Sequence, residues 1–164
     1  SCEIRRVISE MRPGMLDDLG LCAAIEWQAG QFSERTGVVC DLTLKADDSR
    51  LSPMVSTALF RVLQELLANV ARYAAATHVD VNLASTAAEV CLTVTDNGRG
   101  ITDDEIHRPS SLGILGIQER IRACGGTVTF HGEPGRGTTV TVTVPLRADS
   151  NNGWQARLRL SERP

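Results

Sequence analysis

The longest helical pattern in the sequence covers residues 53 to 76. Apolar side chains recur there at the three- and four-residue spacing of a helix that packs one face against a core. They are Val55, Leu59, Val62, Leu63, Leu66, Leu67 and Val70. Because Ser52 suits the N-cap of such a helix and Pro53 its first turn, the pattern predicts one long amphipathic helix in the middle of the chain.

Shorter patterns predict the elements on either side of this helix. A helical pattern comes first, with Asp17 or Asp18 as its cap and Gly37 as its end. Residues 115–124 form a third helical pattern, and residues 102–111 have the composition of a polar loop. Alternating apolar and polar positions predict strands at residues 38–45, 78–83, 90–95, 127–131 and 138–144.

The order of these elements indicates the fold class. It reads helix, strand, helix, strand, strand, helix, strand, strand, which suits an α+β fold built as a two-layer α/β sandwich. We expect a mixed, largely antiparallel sheet that is covered by helices on one face. The domain would occupy residues 15–147, with residues 3–11 as the end of a helix before it and residues 148–164 as a tail.

Composition and charge exclude several classes of protein. The net charge of −3 and the near-absence of lysine argue against a nucleic-acid surface, which needs a basic stripe. No apolar run reaches the roughly 18–20 residues of a membrane span, so we expect no membrane contact. The five cysteines are odd in number and form no CxxC pair, which disfavours a zinc-cysteine site or a disulfide framework and indicates a reducing, cytoplasmic compartment.

Polar residues of the long helix form the first candidate site. Glu65 and Asn69 are four residues apart and therefore share a helix face, with Arg72 and Tyr73 one turn further on. An Asn oxygen suits Mg²⁺, a neighbouring carboxylate can hold a metal-bound water or accept a proton, and Arg72 can bind phosphate oxygens. Such residues are also common on the solvated face of an amphipathic helix, so this pattern leaves both interpretations open.

Three glycine-containing motifs follow, and each has an ordinary explanation when taken alone. The segment 96–100 (Asp-Asn-Gly-Arg-Gly) follows an apolar strand, where it is either a tight turn or a carboxylate that accepts a hydrogen bond from an adenine amine. Gly113 and Gly116 stand before a helix, where free backbone N–H groups bind phosphate or simply cap the helix. Gly137-Thr138-Thr139 opens an alternating strand, as in many hairpins.

Together, and in this order, the motifs resemble the N box and glycine boxes of the histidine-kinase ATP-binding domain. That domain shares its Bergerat-type fold with the gyrase, heat-shock chaperone and mismatch-repair ATPases. The finer resemblance is to nitrate-sensor-like and degradative-enzyme-sensor-like kinases, which carry a motif like Arg-Pro-x-x-Leu-Asp-Asp-Leu-Gly-Leu, at residues 12–21 here. Those kinases usually have His at the position of Tyr73, so we assign Tyr73 to binding and not to proton transfer.

The resemblance implies ATP and Mg²⁺ as ligands. Asn69 would coordinate Mg²⁺, Glu65 would serve beside it as a metal-binding or catalytic group, and Asp96 would bind the adenine amine. Gly113 and Gly116 would belong to a mobile lid over the phosphates. The nucleotide-binding set implied in this way is Asn69, Arg72, Tyr73, Asp96, Gly98, Gly100, Ile101, Leu112, Gly113, Leu115, Gly116, Thr138 and Thr139.

The implied function is phosphoryl transfer within a two-component system. The γ-phosphoryl group would pass to a His of an upstream dimerisation domain in a homodimer, and then to the receiver domain of a response regulator. Residues 1–14 would be the end of that dimerisation region and a linker, with the acceptor His lying before them. His78, His107 and His131 match no acceptor motif, so the isolated domain should bind nucleotide without phosphorylating itself.

Two rival functions stay open at the level of sequence. A gyrase- or mismatch-repair-like ATPase would use Glu65 as the general base, but it would need a second domain with a phosphate-contacting Lys. An anti-sigma-type serine kinase would phosphorylate a protein partner, and the motif at residues 12–21 speaks against it.

Overall fold

The computed structural model describes residues 14–108 and 112–146. One five-stranded sheet carries the fold, and its strands follow the spatial order 1-2-3-5-4. Strands 1 and 2 are parallel, and every other neighbouring pair is antiparallel. The strands are β1 Val39–Lys45, β2 His78–Ser85, β3 Glu89–Asp96, β4 Thr127–Glu133 and β5 Gly137–Pro145.

Helices cover one face of this sheet. They are α1 Gly14–Thr36, α2 Pro53–Asn69, α3 Asp103–His107 and α4 Ile114–Ala123, and a short 3₁₀ helix spans Asp48–Arg50. A π-helical turn, Val70–Ala74, continues α2 without a break. Alternate residues of the central strands and the apolar stripes of the helices form one buried core, whose largest fully buried side chains include Phe32, Phe60, Leu63, Leu67 and Ile121. The predicted two-layer α+β sandwich with a mixed, largely antiparallel sheet is confirmed.

The predicted helix ends are confirmed at two positions. The Ser52 hydroxyl accepts a hydrogen bond from the Val55 N–H at 3.2 Å, so Ser52 caps α2. Gly37 takes a φ of 75°, which glycine adopts without steric cost, and its N–H bonds to the Ser33 carbonyl at the end of α1.

The expectation that Asp17 or Asp18 caps the first helix is wrong. The helix already begins at Gly14, and it is interrupted at Gly20, whose φ of 87° and ψ of 178° are not helical. The second segment therefore needs its own cap, and Asp48 supplies it from the loop before α2 by accepting the Cys22 N–H at 3.3 Å. A Cβ atom at position 20 would lie 2.7 Å from that Asp48 carboxylate, so glycine is required there.

Two further boundaries differ from the expectation. The polar loop predicted at residues 102–111 contains helix α3, which begins with a capping box between Thr102 and Glu105. The long helix ends at Ala74 rather than residue 76, because Ala75 takes a left-handed φ of 51°. Three predicted parts lie outside the described residues: the helix end at residues 3–11, residues 109–111 of the loop, and the tail at 148–164. The domain boundaries stay predictions.

Within residues 14–108 and 112–146, none of the helices combines the length and apolar composition of a transmembrane segment.

Candidate functional site

A cleft opens where α2 and its π-helical turn meet the ends of β3 and β5. Its floor is apolar, with Val94 and Val140 from the sheet and Phe130 beside them. Polar groups reach it from the rim: Asn69, Tyr73, Asp96, Arg99, Glu105 and Thr138. An apolar cavity with a few convergent polar groups is the usual form of a small-molecule site.

Asp96 is the buried charge of this cleft. It ends β3, where alternation along the strand turns its side chain toward the helices, and only 7% of its surface is exposed. Its Oδ1 atom accepts a hydrogen bond from the Gly98 N–H at 2.8 Å. Burial raises the pKa of Asp96 above its ordinary value, while bonds from the backbone of Gly98 and Thr138 and the charge of Arg99 act in the opposite direction. The carboxylate is therefore held in an apolar cavity as a hydrogen-bond acceptor.

The turn after Asp96 is fastened to the end of the π-helical turn. The Arg99 N–H donates to the Ala74 carbonyl at 2.8 Å, and a Cβ atom on Gly98 would lie 2.1 Å from that same oxygen. Gly100 has a φ of 83°, and a Cβ atom there would lie 2.3 Å from the Glu133 carbonyl oxygen. Only glycine allows backbones to approach in this way, so the two glycines set the distance between the walls of the cleft.

The polar residues of the long helix and its π-helical turn are divided between two cavities. A π turn rotates the side chains that follow it relative to an α-helix, and such turns are frequent at functional sites. Asn69 and Tyr73 line the cleft, and Tyr73 is 42% exposed. Glu65 and Arg72 instead line a second cavity, a groove beside the cleft.

This arginine groove lies between α1, α2 and α4. Its volume is about 550 Å³, whereas that of the cleft is about 60 Å³. Four guanidinium groups from these helices line it together with the Glu65 carboxylate: Arg35, Arg61, Arg72 and Arg120. Arginine binds phosphate oxygens through charge-assisted hydrogen bonds, so a groove with this charge suits a polyphosphate.

Leu112 and Gly113, just before α4, border the two cavities. The Asn69 side chain donates a hydrogen bond from Nδ2 to the Leu112 carbonyl at 2.8 Å. Gly113 follows with a φ of 66°, and its Cα lies against the Glu65 carboxylate, since a Cβ there would be 2.4 Å from Oε1. Leu112 thus borders the cleft, and Gly113 borders the groove.

The structure brings most of the predicted residues to one of the two cavities. The cleft holds Asn69, Tyr73, Asp96, Gly100, Ile101, Leu112 and Thr138, and the groove holds Glu65, Arg72, Gly113 and Gly116. Thr138 faces inward, where its hydroxyl accepts the Ile101 N–H at 2.8 Å.

Three predicted residues line neither cavity. Thr139 points to the opposite face of the sheet, because neighbouring residues of a strand alternate between faces. Leu115 is 48% exposed on α4. Gly98 lies behind the Asp96 turn, which it shapes without bordering the cavity.

An ion pair that sequence reasoning missed braces the rim of the cleft. Arg99 donates to both carboxylate oxygens of Glu105, each at 2.8 Å, and its Nε donates to the Tyr73 carbonyl at 2.8 Å. These bonds from Arg99 are the main reason that the pKa of Glu105 is lowered to about 2. The capping-box spacing of Thr102 and Glu105 is the sequence signal that could have placed Glu105 at a helix start beside the turn.

Arg35 and Arg120 were also missed, and no local signal marks them. They lie on different helices, far apart in sequence, and only the packing of α1, α2 and α4 brings them to one groove. His78, His107 and His131 border neither cavity.

Comparisons with known proteins identify the family of this chain. A family model described as "Histidine kinase-, DNA gyrase B-, and HSP90-like ATPase" matches residues 54–148. The chain is 32% identical over 147 residues to the signal transduction histidine-protein kinase/phosphatase DegS of Brevibacillus brevis, covering 90% of this chain and 38% of that protein. It is 38% identical over 156 residues to the sensor histidine kinase MctS of Rhizobium johnstonii, covering 94% of this chain and 34% of that one.

A third curated relative is the oxygen sensor histidine kinase NreB of Staphylococcus carnosus. Identity to it is 33% over 144 residues, covering 88% of this chain and 42% of that protein. The chain thus spans between 34% and 42% of the length of these three relatives.

Solved structures support the same fold. The ATP-binding domain of PrrB from Mycobacterium tuberculosis superposes with a TM-score of 0.60 at 19% identity, covering 76% of this chain and 93% of that one. The histidine kinase domain from the Erythrobacter litoralis EL346 blue-light activated histidine kinase gives a TM-score of 0.59 at 21% identity, covering 72% of this chain and 57% of that one. At these identities the two structures show the fold alone. The family match and the curated relatives show more: the chain belongs to the histidine kinase-, DNA gyrase B- and HSP90-like ATPases, as an ATP-binding domain of the sensor histidine kinase type.

Proposed function

We propose that the chain binds Mg²⁺-ATP and supplies its γ-phosphoryl group to a histidine on the dimerisation domain of the same protein. The full-length protein would act as a homodimer on the cytoplasmic side, and a response regulator would then receive the phosphoryl group on an Asp. One observation carries the proposal. A cleft with a buried carboxylate and a groove lined by arginines adjoin each other along one helix.

The cleft supports the adenine half of the proposal. Its apolar floor offers a surface to a purine ring, and the Asp96 carboxylate offers an acceptor to an exocyclic amine. A purine with a carbonyl at that position would place oxygen against a carboxylate, which is unfavourable. The cleft would therefore select adenine over guanine.

The arginine groove supports the phosphate half. Phosphates that leave the cleft past Asn69 would meet Arg72 and Arg120 at the groove. Phosphoryl transfer depends mainly on positioning and on stabilisation of charge, and guanidinium groups and the N-terminus of α4 supply both.

The residues present fit a magnesium ion. The Asn69 amide nitrogen is bonded to Leu112, and among the described residues its Oδ1 atom has no protein partner. Glu65 stands one turn earlier on α2 and adds a carboxylate, so the pair offers the oxygen donors that Mg²⁺ prefers. Asn69 would hold the ion and Glu65 a water bound to it; the ion, when bound, would neutralise charge on the β- and γ-phosphates.

The role of Glu65 distinguishes the proposed kinase from a gyrase-like ATPase. A carboxylate beside the phosphates can orient an acceptor histidine or activate water. Because His78, His107 and His131 border neither cavity, we expect the acceptor to come from the dimerisation domain.

The proposal is tested by incubating the chain with γ-labelled ATP and Mg²⁺, alone and together with the dimerisation domain of its own full-length protein. We expect nucleotide binding without labelling of the chain alone, and acid-labile label on the dimerisation domain in the mixture. Sustained ATP hydrolysis that is lost in Glu65→Ala would favour the ATPase. Acid-stable label on a serine of a protein partner would favour a serine kinase.

A further inference from the structure

Three side chains with metal-ligating atoms meet on the outer face of the sheet, the face that the helices leave uncovered. His78 Nε2 lies 3.0 Å from Asp41 Oδ2 and 3.4 Å from Asp80 Oδ1. All three ligand atoms lie within 4.8 Å of one another. None of the three residues borders the cleft or the arginine groove.

Strand register explains why they meet. Asp41 of β1 is directly paired with Asp80 of β2, and His78 is two residues before Asp80 on the same face. Like charges that are directly opposed on neighbouring strands destabilise a sheet. Two carboxylates in register, both more than 60% exposed at the side chain, therefore form a place for a cation.

The two distances from His78 Nε2, 3.0 Å and 3.4 Å, are compatible with ligands around one small ion. Neighbouring donor atoms at about 2.0–2.1 Å from a tetrahedral or octahedral ion are separated from each other by about 2.8–3.4 Å. One imidazole nitrogen with two carboxylate oxygens is a donor set for zinc and its neighbours among the transition metals, whereas Mg²⁺ and Ca²⁺ prefer oxygen alone.

We propose that Asp41, His78 and Asp80 bind a divalent transition-metal ion, with Zn²⁺ as the best match, at a three-ligand site that leaves the remaining coordination positions open to solvent. The ligands stand on paired strands, so their backbones are already in place before the metal arrives.

The backbone of His78 is held on its other side as well. Its N–H donates to Asn97 Oδ1 at 3.0 Å, and its carbonyl accepts the Asn97 N–H at 3.2 Å. The imidazole therefore projects from a residue whose position is fixed by two hydrogen bonds. Cys40 of β1 is no competing ligand, because alternation along the strand turns its side chain to the face opposite to that of Asp41.

The chain provides a matched control for the experiment. His131 is an exposed strand residue, and Glu133 lies two positions after it with a carboxylate oxygen 3.7 Å away. In the strand register His131 pairs with Thr139, so this His-x-acid pair lacks a second carboxylate from the neighbouring strand. It reproduces the local sequence pattern of the proposed site without its geometry.

The test is a Zn²⁺ titration of the untagged chain against a chromogenic chelator, with a phosphine reductant and a large excess of Mg²⁺. We expect one Zn²⁺ per chain, and a loss of affinity of at least about tenfold in His78→Asn and Asp80→Asn, since even outer-shell changes cost about 10–100-fold. His131→Asn should bind like the parent. Zn²⁺ should raise the Tm of the parent and of His131→Asn but leave that of His78→Asn unchanged.

Two results would overturn the proposal. One is Zn²⁺ affinity in His78→Asn and Asp80→Asn equal to that of the parent; the other is the absence of Zn²⁺ binding by the folded parent at millimolar metal. All three ligands are surface side chains, so circular dichroism of each variant verifies that the fold is intact.

Discussion

The Asn69 side chain is hydrogen-bonded to the backbone carbonyl of Leu112, with 2.8 Å between Nδ2 and the oxygen. This bond joins the end of α2 to the segment that leads into α4. The cleft that these two residues border has a volume of about 60 Å³, well below the roughly 300–1,000 Å³ of typical ligand sites. We therefore expect the cleft to widen when a nucleotide binds.

The first prediction concerns the metal dependence of nucleotide binding. Asn69→Ala removes both the bond to Leu112 and the proposed magnesium ligand. We expect ATP affinity in the presence of Mg²⁺ to fall at least about tenfold, as metal-site changes generally do. Isothermal titration with ATP, in Mg²⁺ and in EDTA, measures this affinity. In EDTA the difference between Asn69→Ala and the parent should largely disappear.

Asn82→Ala is the control for this prediction. Asn82 is exposed on the outer face of β2 and should bind ATP like the parent. An equal loss of affinity in Mg²⁺ and in EDTA for Asn69→Ala would contradict a metal-binding role for Asn69.

The second prediction concerns the glycine behind Asp96. A methyl group at position 98 would lie 2.1 Å from the Ala74 carbonyl, so Gly98→Ala must push the turn away from the π-helical turn. We expect a decrease of about 1–3 kcal/mol in the free energy of unfolding, as for other overpacked positions. Gly30→Ala is the control: with no atom within 4 Å of its new methyl group in α1, it should stabilise the chain by about 0.5–1 kcal/mol. Urea unfolding of both variants and the parent measures these changes. Equal free energies of unfolding for Gly98→Ala and the parent would contradict the close approach of Gly98 to the Ala74 carbonyl.

The third prediction concerns acid stability. The folded-state pKa of Glu105 is about 2, below the ordinary value of 4.5, because of its bonds with Arg99. The pair therefore stabilises the fold fully above pH 4.5, and this contribution is lost as the pH falls from 4.5 toward 2. Glu105→Gln should cost about 1 kcal/mol at pH 7 and much less at pH 3, where Glu105 of the unfolded parent is protonated. Urea unfolding at the two pH values measures it, and a constant difference would contradict the assigned cause.

The sequence was sufficient to predict the fold and the local motifs of the site. The helical pattern of residues 53–76 and the strand alternation predicted the two layers, and the spacing of Glu65, Asn69 and Asp96 placed one site along α2 and β3. What local patterns could not show is the division into two cavities, because it depends on which neighbouring elements pack beside α2.

Interactions between distant residues were also beyond the sequence patterns. Arg35 and Arg120 meet only when three helices pack together. Asn97 was interpreted as a turn residue, yet its side chain accepts the N–H groups of Thr77 and His78 and so fastens β2 to the Asp96 turn. The break at Gly20 was missed because the predicted cap at Asp17 or Asp18 placed Gly20 inside the helix.

The central claim is that Asp96 binds the adenine amine, and pH provides one test of it. Because burial raises the pKa of Asp96, the carboxylate becomes protonated at a pH above the ordinary 3.8, and the acceptor is then lost. ATP affinity should therefore fall as the pH is lowered through this raised pKa while the chain is still folded. The decrease should be absent in Asp96→Asn, which has no carboxylate to titrate.

The most direct measurement is an ATP titration of the parent and Asp96→Asn at pH 7.5, with Asp103→Asn as a charge-matched control on the exposed start of α3. Hydrogen bonds to charged groups contribute about 1.5–3 kcal/mol, and each 1.4 kcal/mol is tenfold in affinity. The account predicts ATP binding at least about tenfold weaker in Asp96→Asn and unchanged in Asp103→Asn. Equal ATP affinity of Asp96→Asn and the parent would contradict the assignment of the nucleotide to this cleft.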